Sequence, residues 1–404
     1  MARTTGQKKN APELQFYQKL VLNRYLLSQF GADDFQALSV NLKDPSLEQI
    51  DGEGVTGFYK QLVAQISGHC AVSDEKLAQY DLNIVSYLCK INEKHEDKIF
   101  LKYFQYLALL FTEYYLDEYF NDRRALLSGL NTFVADFNEQ YPNDSVNTYK
   151  ESDLNKIAFW SATGSGKTIL MHINYYQYIH YSEGKMSDDA TFILLTPKEG
   201  LSLQHIEDFK TDGIPAAIYD KNARRELAAK NEISILENTK LGDKDGNKTE
   251  DKTVAVSRFG NKNVVFVDEG HRGSSSGKDG KWQKYRDDLC SDGFSFEYSA
   301  TFGQAIAASS DKSLAGRYAK CIIFDYSYKF FYRDGYGKDY NILNLRDDSD
   351  DYKRLEYLTA CLLTYYQQKK LYLAKPKEFA PFNIENPLLV FVGASVNAVR
   401  TENK

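Results

Sequence analysis

Apolar residues recur at helical spacing in Leu14–Leu27, around Phe58–Ile66 and in Leu77–Ile91, and polar breaks such as Asp51-Gly52-Glu53-Gly54 separate the runs. This spacing predicts a helical accessory domain over residues 1–97. A long helix is predicted from Ile99 to Phe120 and another over Arg123–Glu139, ended by Tyr141-Pro142-Asn143-Asp144. From Lys156 the period changes. Short apolar runs at Ile157–Trp160, Phe192–Leu195, Val264–Val267, Phe294–Tyr298 and Cys321–Phe324 are separated by helical stretches, including Thr168–Tyr181 and Leu201–Lys210. Strands covered on both faces read as unbroken apolar runs, so this rhythm predicts an α/β fold built on a doubly wound parallel sheet.

The stretch Asn238–Lys252 reads as a solvated polar turn. Its Asp243, Asp245 and Asn247 resemble a calcium loop only loosely, because Gly246 comes too early. The acid cluster Asp347–Asp351 suits the start of a helix over Tyr352–Tyr372, where the helix dipole favours carboxylates. Lys375-Pro376 and Ala380-Pro381 then mark a linker, and Leu388–Val392 reads as one more buried strand.

A chain of 404 residues has room for two or three domains. Its net charge of -6 gives no overall basic field, which argues against a small DNA-binding module but not against a motor with a local groove. The five cysteines are scattered and odd in number with no C-x-x-C pair, so the expectation is a reducing cytoplasm without disulfides or a zinc site. The basic start of the chain has no apolar run behind it, unlike a secretory signal. The most apolar stretch, Phe104–Phe120, carries Glu113, Asp117 and Glu118, a charge density that excludes an ordinary membrane span.

The sharpest chemical signal is Ser161-Ala162-Thr163-Gly164-Ser165-Gly166-Lys167-Thr168, directly after one predicted strand and opening a helix. Glycines let the backbone curl until its N–H groups converge on phosphate oxygens, and the helix N-terminus adds partial positive charge. Lys167 can reach the β- and γ-phosphates and the Thr168 hydroxyl can ligate Mg²⁺, so ATP with Mg²⁺ is the expected ligand. A second strand, Val264–Val267, delivers Asp268 and Glu269. The first carboxylate suits a Mg²⁺ ligand and the second a group that orients and polarises attacking water. Ser299-Ala300-Thr301 ends a third strand, where small hydroxyls can bond to the carboxylates and sense the nucleotide. Thr196-Pro197-Lys198-Glu199-Gly200, followed by Gln204, ends a fourth and can present Thr196, Gly200 and main-chain N–H groups to a phosphate backbone.

These four segments, in this order and at strand ends, resemble motifs I, Ia, II and III of the superfamily-two helicases. Asp268-Glu269-Gly270-His271 is similar to the DEAD/DEAH box, with Gly270 as a variation. Within that group the chain most resembles the motor subunit of type III restriction enzymes, from Leu101 to Val396. The resemblance implies a RecA-like ATPase domain over residues 98–345, and a linker helix with the beginning of a second RecA-like domain over 346–404. It implies ATP hydrolysis and movement along nucleic acid, often in defence against foreign DNA; RNA stays open. It gives Thr196, Pro197, Gly200 and Gln204 to the nucleic acid, and makes Ser299, Thr301 and His271 coupling residues. Leu101–Ala108 resembles the family's L-R-x-Y/F-Q-x-x-A segment, whose Gln reads the adenine edge. Gln105 takes that place, and an ordinary Gln on an amphipathic helix is the other reading of it. Ser161 stands where Ala or Gly is commoner in the family. The arginine fingers of the family's motif VI have no counterpart here. The expectation is that the chain alone binds ATP but turns it over weakly or not at all until a second polypeptide or a C-terminal half supplies them, and a methyltransferase or nuclease subunit is a further expected partner.

Two other readings stay open. A nucleotide-gated module could bind DNA or a partner without hydrolysis. A GTPase would need an N-K-x-D segment, to which Asn247-Lys248-Thr249-Glu250 is only a near miss. The aromatic and basic segment Tyr326–Lys338 could stack bases, but packing beside the last strand is the preferred reading.

Overall fold

A computed structural model of the chain describes residues 13–66, 68–185, 190–220, 231–244, 253–270, 278–311, 313–337, 351–382 and 384–392. His271, the Asn247–Glu250 near miss, Asp245 of the calcium-like turn and Asp347–Asp350 lie outside them. The chain divides into two compact units, Met1–Gly337 and Lys338–Lys404.

The first unit opens with helices α1 (Val21–Gln29), α2 (Phe35–Ser39), α3 (Gly57–Ile66), α4 (Asp74–Asn92), α5 (Tyr103–Asn121) and α6 (Arg123–Gln140). The predicted run Leu14–Leu27 is broken in fact: a short 3-10 turn at Phe16–Lys19 precedes α1. Ser73 caps α4 by accepting from Lys76 N–H, and Asp74 and Glu75 occupy the first turn, where the helix dipole favours them. α5 is apolar on nearly every side because it is buried on nearly every side. Its acids are answered within the protein. Asp117 accepts from the Tyr80 hydroxyl at 2.6 Å, Glu118 pairs with Lys76 at 2.9 Å, and Glu113 accepts from Asn83, Gln177 and Tyr181.

The sheet follows: β1 (Lys156–Ser161), α7 (Lys167–Ser182), β2 (Phe192–Thr196), α8 (Glu199–Thr211), β3 (Ala216–Ile218) and β4 (Ile233–Glu237). Next come β5 (Leu241–Gly242), β6 (Val254–Ala255), β7 (Val264–Asp268), α9 (Lys278–Leu289), β8 (Phe294–Ser299), α10 (Phe302–Ala308), α11 (Ser313–Ala319), β9 (Ile322–Tyr326) and α12 (Tyr328–Arg333). Seven strands form one parallel sheet in the order β3-β4-β2-β7-β8-β1-β9. This is the doubly wound parallel arrangement expected of a RecA-like fold. The five strands predicted between Ile157 and Phe324 are present, and β3 and β4 extend one edge. β5 and β6 pair with each other across the segment read as a polar turn.

Alternation along the strands sends side chains to two cores. Phe192, Leu194, Phe266, Phe296 and Tyr298 face a large aromatic cluster shared with α1, α4, α5, α6 and α7. The helices before β1 therefore pack onto the sheet itself. Ile193, Leu195, Val265 and Val267 face a second cluster with Tyr285 and Leu289 of α9. Tyr326 belongs to the first core, stacked on Phe104 with centroids 3.9 Å apart, while Tyr328, Tyr332 and Tyr336 remain partly exposed.

The second unit holds α13 (Asp351–Ala374) and α14 (Pro376–Phe379). Leu388–Val392, expected as a buried strand, forms no ladder among the described residues, and the side chains of Leu388, Val390, Phe391 and Val392 are exposed. An apolar run becomes a strand only where another strand offers it hydrogen bonds. No helix among the described residues is long and apolar enough to cross a membrane.

Candidate active site

The phosphate loop leaves β1 at Ser161 and enters α7 at Lys167. Gly164 and Gly166 have φ of 84° and 86°, the left-handed region that only glycine occupies without strain. Gly166 has a second constraint: a Cβ there would meet Gln105 Nε2 at 2.2 Å. Ser165 is buried and its hydroxyl donates to Ala162 O at 2.8 Å, which pins the turn. The Ser165 N–H also bonds to Ala162 O, at 3.2 Å. Among the described residues, no acceptor engages the N–H groups of Gly164, Gly166, Lys167 or Thr168. Four donors thus converge at the N-terminus of a sixteen-residue helix, an anion cradle by construction.

β8 lies between β1 and β7, with Trp160 opposite Ser299 and Asp268 opposite Tyr298. Two strand spacings, about 10 Å, therefore separate the loop from the acid pair, and the Lys167 side chain bridges part of that gap. Burial depresses its ammonium below the usual lysine value, and Glu269 and then Asp268 act in the opposite direction through their charge. The lysine is thus within electrostatic reach of both carboxylates. The Lys167 ammonium makes only long contacts to Ser161 O and Ala162 O, at 3.5 and 3.4 Å.

Glu269 has a φ of 56°, an uncommon conformation for a residue with a side chain. The following residue, Gly270, is held through both its N–H and its carbonyl. Gly270 N–H donates to Tyr298 O at 2.9 Å, and Gly270 O accepts from the buried Arg286 at 2.8 Å and from the Tyr318 hydroxyl at 3.2 Å. Tyr318 also donates to Glu297 at 2.8 Å. A Cβ at Gly270 would come within 3.0 Å of Glu297 Cβ, which explains glycine at this place in the acid box. Ser299 is fully buried and its hydroxyl accepts from Thr301 N–H at 3.0 Å. Thr301 Oγ1 is buried with no hydrogen-bond partner among the described residues.

The ligand chemistry fits ATP and Mg²⁺. Unengaged amides and an ammonium suit a polyphosphate, and the Thr168 hydroxyl with the Asp268 carboxylate offers the hard oxygens that Mg²⁺ prefers. Gln105 reaches the loop from α5, donating to Ser165 O at 3.0 Å and accepting from Lys102 N–H at 2.8 Å.

The segment after β2 is divided. Gly200 and Gln204 are exposed and Pro197 is half-buried. Thr196 is fully buried, its hydroxyl 2.6 Å from that of Ser202, so it braces the turn into α8. Sequence reasoning missed Arg286, Tyr318 and His205, which carry no motif and meet the acid box only through the fold.

Residues 125–304 match the family model for the type III restriction enzyme, res subunit. The span runs from α6 to α10 and contains the phosphate loop, the acid pair, Ser299 and Thr301, but not Gln105. No curated protein and no solved structure matches the chain.

Proposed function

We propose that the chain is an ATP-hydrolysing motor module acting on DNA in restriction or phage defence, a reading supported by the match of residues 125–304 to the model of the type III restriction enzyme res subunit, a DEAD/DEAH-like helicase family. The observation that carries this reading is the Lys167 ammonium within electrostatic reach of Glu269 and Asp268, beside a glycine turn in which, among the described residues, the N–H groups of Gly164, Gly166, Lys167 and Thr168 are unengaged.

In this reading the N–H groups of Gly164, Gly166, Lys167 and Thr168 donate to the phosphate chain while Ser165 keeps the turn closed. Lys167 sets its charge against the β- and γ-phosphates. Thr168 and Asp268 would hold Mg²⁺, which when bound would neutralise charge on the phosphate oxygens. Glu269 orients a water and takes its proton as the new P–O bond forms and ADP leaves. Ser299 and Thr301 register the γ-phosphate next to the acid pair. Pro197, Gly200 and Gln204 face the DNA. An arginine from a partner segment or subunit would complete charge stabilisation, a contribution of about 10³–10⁵ in rate.

The test is ATP binding and turnover by the full chain, with and without duplex and single-stranded DNA and an RNA of the same sequence. Wild type is expected to bind ATP and to be stimulated by DNA. Lys167→Ala loses binding, and Glu269→Gln keeps binding but loses turnover. ATP affinity unaltered in Lys167→Ala, or turnover unaltered in Glu269→Gln, overturns the proposal. Stimulation by RNA alone overturns its DNA part.

A further inference from the structure

The Asp268 carboxylate makes two hydrogen bonds among the described residues. Its Oδ1 accepts from the N–H of Glu269 at 3.0 Å, and its Oδ2 lies 3.3 Å from Nε2 of His205 on α8. His205 is buried, with 6% of its surface exposed. Its Nδ1 is buried and has no partner among the described residues. A neutral imidazole carries one proton. On Nε2 that proton serves the carboxylate, whereas on Nδ1 it would leave a buried donor and the Asp268 contact both unmet.

The ring is held from behind. Phe209, one turn along α8, lies 6.2 Å from it and stacks on His172 at 4.3 Å. His172 bonds to Asp212, the C-cap of α8, which also takes His95 at 2.6 Å. The imidazole is thus fixed on a helix whose own end is fixed. That helix is the one carrying Gly200 and Gln204, and His205 directly follows Gln204.

We infer that His205 is a positioning residue for the divalent cation: it holds the Asp268 carboxylate at the angle from which that carboxylate meets Mg²⁺. The inference rests on the nucleotide reading of the cleft. Carboxylates that bind metal are themselves held by hydrogen bonds, and removing such a partner lowers metal affinity by about 10- to 100-fold. A histidine kept only for packing would show no such link to the cation.

ATP affinity of the full chain is measured by titration in Mg²⁺ and again in EDTA, and the ratio gives the Mg²⁺-dependent gain. His205→Ala is expected to lower that ratio roughly tenfold and to leave the EDTA affinity unchanged. His205→Phe keeps an aromatic ring beside Phe209 without a donor, and is expected to lose the gain as alanine does. His205→Gln, whose amide N–H replaces the donor, restores most of it. If the alanine variant fails to fold, the Phe and Gln pair decides. A ratio unchanged in His205→Phe overturns the inference and leaves the nucleotide reading standing, as does an equal loss in Mg²⁺ and EDTA. Absence of ATP binding by wild type overturns the nucleotide reading itself.

Discussion

The side-chain amide of Gln105 donates to the main-chain carbonyl of Ser165 across 3.0 Å, joining the first turn of α5 to the phosphate loop over 60 residues of sequence. Its Oε1 is taken by Lys102 N–H at 2.8 Å, so both ends of the amide act inside the protein. Such a group stabilises the shape of the loop, which any nucleotide base would share. Gln105→Ala is therefore expected to weaken ATP and GTP alike, by roughly fivefold for one lost hydrogen bond of about 1 kcal/mol. Competition titrations with the two nucleotides check this. A loss confined to ATP would instead give Gln105 the adenine edge.

Lys156, at the start of β1, is 3.2 Å from Glu297, an ion contact short of hydrogen-bond alignment, and 2.8 Å from Asp287. Burial alone would lower the pKa of the lysine, but Glu297 and then Asp287 hold it well above the usual value. Asp287 keeps Arg317 as a second partner at 2.8 Å, whereas Glu297 is fully buried. Lys156→Met leaves that carboxylate without its cation and is expected to cost about 3–5 kcal/mol. Lys156→Met with Glu297→Leu is expected to recover most of the loss. Urea denaturation of the four-member cycle measures it, and additive losses would show that the pair is uncoupled.

The phosphate loop, the acid pair and the Ser299–Thr301 segment were legible because each sits at the end of an apolar run. A strand buried on both faces leaves little ambiguity about where its run stops. β3 and β4 escaped because Ala216–Ile218 is three residues long and Ile233–Glu237 mixes Ser and Glu into its apolar positions. Periodicity in α1 and α4 says that one face is covered but not by what, and here it is the sheet. Thr196 looked ligand-facing because its hydroxyl ends a strand, and only the fold places Ser202 against it. Arg286, Tyr318 and His205 reach the acid box from distant segments, and spacing along a chain carries no record of such encounters.

Gly270 shows how the buried ion network limits the acid box. A methyl group there would press on Glu297 at 3.0 Å from Cβ and 3.1 Å from Oε2. Glu297 cannot withdraw freely, since Tyr318 and Lys156 hold it. Gly270→Ala is therefore expected to cost about 1–2 kcal/mol, as overpacking does, and to shift Glu269 and lower turnover more than ATP affinity. Chemical denaturation and steady-state kinetics on the same variant test both halves. Unchanged stability would mean that Glu297 moves more easily than its partners suggest.

Glu113 should make stability depend on pH. Burial in α5 pushes its carboxyl from an ordinary 4.5 up to about 7, against the opposing hydrogen bonds of Asn83, Tyr181 and Gln177. The folded chain thus keeps a proton that the unfolded chain releases above 4.5. Its contribution is full below that value and is lost as pH rises through 7, a loss of about 3 kcal/mol in all. Glu113→Gln has no proton to lose. The stability difference between wild type and Glu113→Gln, from urea denaturation at pH 5, 6 and 8, should move in favour of the variant as pH rises and level off above 7. A difference that stays constant across that range would mean Glu113 is ionised in the folded protein, with the three donors outweighing its burial.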